Sequence, residues 1–502
     1  EGRRYPNCFS TAGVCAPSRA ALMTGMYPTS IGAHHMRTTH TNEATPELPT
    51  PYHAVPPHYV SAFTESLRRA GYCCTLDYKT DYQFGEPFTM WDEHAEGADW
   101  RTDRRDGRPF FTMLTRAGTH ESGMWDPDAE WTGVGAIEEL ETDPGAVEVP
   151  PWLPDTERVR VSIARQYDQV AAADEWVGEV LDRLAADGHA DDTVVVLTSD
   201  HGEGLPRAKR WPYDAGTNVP LVVRWPGHTA GESRDDLVSL VDLAPTTLSL
   251  AGCDLPRHVE GQPFMGPRQE DREYVFATRD RYDESYDMVR SVRDSRYRYV
   301  RNYYPEQPYV LWLPYRNRHP AMQELLRLDG AGELSGAPAR FMADSRPPEE
   351  LYDLREDPHE VQNLAGDPAH RETLERFRGV LDDWQDRTGD LGTESEREMV
   401  HRTYPDGERP TTTPPIFLPN VADNRRREPV DGGAFDAPLS VALHCPTQGA
   451  SVGYTTDSGA DSHWRLYDGP VDLPAGETTL RAKAVRYGYE ESPVAEATFR
   501  VD

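Results

Sequence analysis

Between residues 160 and 202 the chain passes without interruption through a helix pattern, a strand pattern and a polar loop. That succession constrains the fold more than any other feature of the sequence. Ile163, Tyr167, Val170, Val177, Leu181 and Leu184 recur at the spacing of an amphipathic helix over 160–186. Thr193-Val194-Val195-Val196-Leu197 then has the composition of a buried parallel strand. Its carboxyl end delivers Thr198-Ser199-Asp200-His201-Gly202. The motif recurs: an apolar run from Phe110 to Leu114 ends in a loop near His120, Leu221-Val222-Val223 is another strand candidate, and Leu237 to Val241 leads into a helix with Asp242 as its cap. A chain patterned this way predicts an α/β fold, a mostly parallel sheet flanked by helices. Ligands bind such sheets at the carboxyl ends of the strands, where Asp200 and His120 both fall.

The pattern divides the 502 residues into four stretches. Residues 1–270 carry the α/β signal. Residues 271–402 read as a smaller α+β subdomain, with hairpin-like alternation from Met288 to Val300 and mixed loop and helix over 351–385. Residues 403–437, rich in Pro, Thr, Asp and Arg, read as a linker. From 438 to 502 short alternating runs separated by turns predict a small β-sandwich.

Charge excludes several function classes. The chain carries 85 acidic and 52 basic residues, a net charge of -33, with lysine only at Lys79, Lys209 and Lys483. Such a field repels a phosphate backbone, so no nucleic-acid partner is expected. No apolar run is long enough to span a bilayer, so no membrane partner is expected either. Abundant Asp and Glu with so little Lys resembles the proteins of salt-loving microbes. Cys8, Cys15, Cys73, Cys74, Cys253 and Cys445 are too scattered for a disulfide scaffold and offer no zinc spacing, which favours free thiols and tips the expected compartment toward a reducing cytoplasm. The opening at Glu1, with a motif-bearing cysteine so soon after it, is read as lacking a first segment.

Cys15 takes its meaning from its neighbours on the C-terminal side. Pro17 sets the first turn of a helix over residues 17–24 that Gly25 stops, so unpaired N–H groups and a positive dipole end face position 15. Arg19, one turn in, reaches an oxyanion or the nucleophile with a forked guanidinium. The run Cys15-Ala16-Pro17-Ser18-Arg19-Ala20-Ala21-Leu22-Met23-Thr24-Gly25 resembles the signature of type I sulfatases, C-x-P-S-R-x-x-L-x-T-G, in the alkaline-phosphatase superfamily. The resemblance implies that a formylglycine-generating enzyme oxidises Cys15 to formylglycine. It also implies that the aldehyde hydrate is the nucleophile toward a sulfate ester, with a divalent metal, calcium before magnesium, at its side. A serine or cysteine ester could not release sulfate in this way, because no second hydroxyl remains to expel it.

The same resemblance assigns the rest of the site. Asp200 and His201, at the end of the Val-rich strand, would bind the metal together with Cys15, where many sulfatases have Asn in place of the histidine. Lys209, in Lys209-Arg210-Trp211-Pro212-Tyr213, resembles the lysine that binds sulfate oxygens. Lys79, in Lys79-Thr80-Asp81-Tyr82, resembles a second such lysine, although the family's usual G-K-W-H has no glycine here and Asp81 stands where it has histidine. Three roles are open to Asp81: proton acceptor, substrate ligand or partner of Lys79. His120, in Gly118-Thr119-His120-Glu121-Ser122, resembles the histidine that protonates the leaving alcohol, which suits a group titrating near neutral pH. His34 and His35, as neighbours, are expected to point apart and line the pocket at most. The family's first strand, with its acidic pair of metal ligands, has no counterpart in these residues.

Leu351-Tyr352-Asp353-Leu354, with Asp357-Pro358 and Asn363-Leu364, resembles the signature that closes sulfatase catalytic domains. The tail resembles small β-sandwiches appended to glycan-active enzymes. The expected activity is hydrolysis of a sulfate ester of a carbohydrate. A phosphonate or phosphate ester hydrolase of the same superfamily and an inactive glycan-binding protein are the alternatives.

Overall fold

The computed structural model describes residues 2–39, 51–102, 105, 107–126, 137, 139–228, 231–420, 428–459 and 462–502. Three small sheets form the N-terminal region. Cys73–Asp77 lies between Glu93–His94 and Phe110–Leu114, parallel to both. Leu221–Arg224 runs antiparallel to Arg3–Arg4 on one side and to Val195–Thr198 on the other. Cys8–Phe9 pairs antiparallel with Asn218–Val219 and parallel with Val238–Ser239. Leu22, Met23, Leu67, Leu76, Val223, Leu240 and Leu248 join these sheets to their helices in one buried core.

The α1 helix spans Cys15–Thr24, two residues earlier than Pro17 suggested, and all ten of its residues are buried. A helix apolar or close-packed on every side lies inside the protein rather than on its surface. Gly25 ends it at φ 68°, a left-handed conformation that costs glycine little, and its N–H reaches the Ala21 carbonyl at 2.8 Å.

Some expected burial is not found. The strand read as buried and parallel, now Val195–Thr198, pairs antiparallel with Leu221–Arg224, and Val196 and Leu197 are 43% and 39% exposed. Among the described residues it is an edge strand, with one paired side only. Phe110–Leu114 occupies an edge too and is half-buried along its length. In the long helix Glu157–Ala186, Ile163 and Leu184 are buried as the periodicity required, yet Tyr167 and Val170 are exposed. Polar residues take the inward positions instead: Arg165 donates to the carbonyls of Met124 and Trp125, and Asp168 accepts from the N–H groups of Glu141 and Thr142. This face of the helix anchors loops, and buried loop amides require polar partners.

Beyond residue 270, Val275–Arg279, Val289–Arg293, Tyr297–Asn302 and Glu349–Asp353 form a four-stranded antiparallel sheet, which includes the expected hairpin. The helix Arg371–Thr388 covers it with Leu374, Phe377, Leu381 and Trp384. Bridges Ala12–Thr278 and Met36–Tyr282 tie this sheet to the segments around Cys15. The last unit is a sandwich of three-stranded and five-stranded sheets around Phe417, Leu443, Leu480 and Phe499. Ile416–Pro419 and Gly432–Phe435, from the stretch read as linker, each add a strand to it, and residues 421–427 lie outside the described residues. No helix among the described residues is long and apolar enough to cross a membrane.

Candidate active site

Four stretches far apart in sequence, around Cys15, Lys79, His120 and Asp200 to Arg210, meet at the site. Cys15 is the first residue of that helix, where no side chain caps the free amides. Its Sγ lies 3.4 Å from Nε2 of His201. Asp200 and His201 follow the strand Val195–Thr198, and Gly202 locks that turn to the segment carrying Lys209. Its N–H donates to the Gly216 carbonyl at 2.9 Å, and a Cβ on Gly202 would collide with the Ala215 carbonyl.

Arg19 does not fork onto the nucleophile. Its Nε and Nη2 donate to the carbonyls of Thr80 and Lys79 at 2.8 and 2.6 Å, and Nη1 sits 3.6 Å from Asp200. The guanidinium thus fixes the loop that presents Lys79, whose Nζ is 3.6 Å from the same Asp200 oxygen. That loop is strained: Tyr78, Asp81 and Gln83 all take positive φ without being glycine. Asp81 makes no ion pair with Lys79 among the described residues, although its charge raises the pKa of both Lys79 and Arg19.

On the other side of the site, Lys209 Nζ lies 3.4 Å from Nε2 of His120 and 3.0 Å from Glu121. Nδ1 of His120 is 2.8 Å from the Ser122 hydroxyl. Arg210 donates to both Glu121 oxygens, at 2.9 and 2.8 Å. Glu121 and Arg210 were not singled out in the sequence. The only signals were their adjacency to His120 and Lys209.

The cations set the protonation of everything between them. Burial and Asp200 push the Cys15 thiol up, but Lys79, Lys209 and His201 outweigh them and leave it at about 7. Burial also raises Asp200, and Lys79, His201, Arg19 and Lys209 overcome it, holding the carboxyl well below the usual range. Glu121 is held low by Arg210 and Lys209 against the same burial penalty. For His120, burial first and Lys209 second act in one direction and bring it down to about 3.

His34 and His35 are fully buried, and their rings lie 4.2 Å apart instead of pointing away from one another. They occupy a loop, where the opposed geometry of a regular element does not apply. Among the described residues they join no group of metal-donor atoms. Cys15, Asp200 and His201 do: their donor atoms lie within 4.8 Å of one another. Nδ1 of His201 faces the Gly202 carbonyl at 2.9 Å and must donate to it, so Nε2 is the ring nitrogen turned toward Cys15. A carboxylate oxygen, an imidazole nitrogen and the nucleophile's own atom fit one face of a divalent ion.

Comparison with known proteins agrees with this architecture. The Sulfatase family model matches residues 95–253, the model of the N-sulphoglucosamine sulphohydrolase C-terminal region matches 202–323, and the chitobiase/beta-hexosaminidase C-terminal domain matches 430–496. An ulvan-active sulfatase of Formosa agariphila is 40% identical, covering 98% of this chain and 85% of its own. Human N-sulphoglucosamine sulphohydrolase is 29% identical over 77% of this chain and 83% of its own. A solved 2-O GAG sulfatase aligns with a TM-score of 0.52 at 21% identity, over 78% of this chain and 85% of its own. A solved phosphonate monoester hydrolase from Silicibacter pomeroyi aligns at 0.51 and 18% identity, over 78% of this chain and 90% of its own, and shares the fold. The chain belongs to the sulfatase family, whose fold is that of the alkaline-phosphatase superfamily. It is a sulfuric ester hydrolase.

Proposed function

We propose that the protein removes sulfate from a sulfated carbohydrate, with formylglycine at position 15 as the nucleophile. The observation that carries this reading is the placement of Cys15 at the free amides of α1 within one cluster with Asp200 and His201, where the charges of Lys79 and Lys209 bear on it. The relatives named above act on ulvan or carry the name of a sulfated sugar, and this supports a glycan substrate.

In the modified protein a hydroxyl of the aldehyde hydrate takes the place of the Cys15 Sγ. The sulfate ester lies with its oxygens toward Lys79 and Lys209, whose charges offset those of the sulfate. The hydroxyl attacks sulfur in line as the sugar oxygen leaves, and His120 supplies that oxygen's proton through Nε2. The negative sulfate offsets Lys209 and Lys79, which raises His120 toward the range where it can hold that proton. The second hydroxyl then gives its proton to His120, which the first step left without one, the carbon–oxygen bond to sulfate breaks, and the aldehyde is restored. Asp200, His201 and residue 15 would hold the divalent ion, calcium before magnesium, which supplies charge stabilisation and lowers the pKa of the attacking hydroxyl. The formylglycine-generating enzyme is the implied maturation partner. The proposed units are 1–270 and 271–402 as one catalytic body, with a C-terminal sandwich that takes in the strands Ile416–Pro419 and Gly432–Phe435 appended to it.

The test is the mass of the Cys15 peptide after expression with a formylglycine-generating enzyme, alongside turnover of an aryl sulfate. An aldehyde at position 15, turnover by the wild type and none by Cys15→Ala are expected. Turnover with an unmodified thiol, or a preference for a matched aryl phosphonate, would overturn the reading.

A further inference from the structure

Resting on the sulfatase reading, we infer that Arg37, with Tyr315 and Trp312, forms a subsite for a second anionic group on the sulfated sugar or its neighbour. The place follows from the leaving group. The sugar oxygen must reach His120, and the ring packed beside His120 is Tyr315, with centroids 6.4 Å apart. The Arg37 guanidinium lies 4.7 Å from the centre of that same ring. Tyr315 meets Ser122, which holds the Nδ1 edge of His120, so Arg37 stands one ring removed from the proton donor, the neighbourhood of a substituent on the leaving sugar or on the sugar next to it.

Arg37 is held there and only partly used. Its Nε is 2.6 Å from Asp283, which is nearly buried, while the Arg37 side chain is 34% exposed. The Asp283 carbonyl in turn accepts from Arg281, which is itself paired with Glu396. Arg37 and Asp283 both stand at positive φ, at 57° and 47°, a cost that ligand clamps characteristically bear. Among the described residues the two Nη groups of Arg37 have no hydrogen-bond partner. The contrast with its neighbours is plain: Arg210 is forked onto Glu121, and Arg19 is committed to two carbonyls and Asp200. A guanidinium edge of this kind fits a carboxylate or a sulfate.

Trp312 stands three residues before Tyr315, and its side chain is 58% exposed. Its carbonyl accepts from the Ser285 hydroxyl, two residues from Asp283, so the two segments are joined. One exposed tryptophan means little alone. On a segment that also carries Tyr315 and is tied by its backbone to Ser285, it offers an exposed flat apolar face of the kind a sugar ring covers. A chain with net charge -33 repels an anionic glycan, so local cations must decide where one docks.

The experiment compares kcat/KM on two matched pairs of sulfated oligosaccharides. One pair is a uronic acid and its methyl ester, and the other differs by a second sulfate on the sugar next to the scissile ester. In Arg37→Ala the preference for the more anionic member should fall about tenfold to a hundredfold in one pair. The pair affected identifies carboxylate or sulfate. Arg37→Lys, which keeps the charge and loses the fork, should fall between. The same preference read as Kd in the Cys15→Ala background separates binding from turnover, so loss of aryl sulfate activity by the wild type would count against the sulfatase reading alone. Unchanged preference in both pairs, in both variants and both readouts, would overturn the subsite.

Discussion

Glu121 is fully buried and holds two cations of the site at once, Lys209 at 3.0 Å and Arg210 at 2.8 Å. Removing one member of such a cluster leaves the others uncompensated, which costs more than the pair itself contributes. Glu121→Ala is therefore expected to destabilise the fold by about 3–5 kcal/mol in chemical denaturation and to weaken turnover together with it. Glu121→Gln keeps the volume but removes the same charge, so it should destabilise too, and kcat/KM of the protein that remains folded should fall as Lys209 loses its partner; an unaltered kcat/KM would remove Glu121 from the positioning of Lys209. His120→Ala should harm substrates with poor leaving groups more than activated aryl esters, and equal losses would argue against proton donation. Residues in fixed local patterns could be singled out from the sequence, as Cys15, Arg19, Asp200, His201 and Lys209 were by their neighbours in the chain, and the structure brings them close together. Glu121, Arg37 and Tyr315 could not, because their meaning lies in contacts with residues remote in sequence, such as Glu121 with Arg210 across 89 positions. Arg19 was legible as a site residue, but not as the clamp of the Lys79 loop.

At the scale of elements, α1 is held at its exit as tightly as at its start. The Gly25 carbonyl accepts from the N–H groups of Glu260 and Gly261, and the Glu260 carboxylate accepts from the Tyr27 N–H and the Ser30 hydroxyl. Burial, only partly offset by those bonds, pushes Glu260 up to about 7 from an ordinary 4.5. A carboxyl raised in the folded state contributes stability that is full below the unfolded pKa and is lost as pH rises through the folded one. The wild type should thus lose roughly 3 kcal/mol of this contribution between about pH 4.5 and 7. Glu260→Gln removes the titration, so the gap between variant and wild type should shift in the variant's favour from pH 5 to pH 8. Parallel Tm curves for the two proteins would show that Glu260 ionises as freely folded as unfolded. Element boundaries and burial were the less legible part of the fold. Val196 and Leu197 have the composition of a core strand and are exposed, since strand partners are set by the whole sheet and not by the five residues themselves.

For the whole molecule, the C-terminal sandwich is joined to the first region by buried polar chemistry as well as by surface contact. Glu65, on the short helix Phe63–Arg69, is 0% exposed. It accepts from the Ser451 hydroxyl at 2.6 Å and from the Tyr487 hydroxyl at 3.1 Å, both supplied by the C-terminal unit. Thr89 donates to it from the other side, and Tyr487 also accepts from the Ala62 N–H at 3.0 Å. The Tyr487 ring packs within the first region's own core, with Phe84 at 5.2 Å between centroids. Cutting before the sandwich would leave a buried carboxylate without two donors and expose apolar core, so the unit is expected to melt with the rest and not as an independent module. Calorimetry should show one transition for the full chain. Glu65→Ala should lower that single transition, because the hydroxyls of Ser451, Tyr487 and Thr89 lose their buried acceptor at about 1–3 kcal/mol for each one left unsatisfied. A first transition for the sandwich alone, with the remaining protein melting at its original Tm and retaining turnover, would show the junction to be a docking contact only. In that event the sandwich would be free to act on glycans by itself, a role the fused core at Tyr487 otherwise makes secondary to holding the catalytic body together.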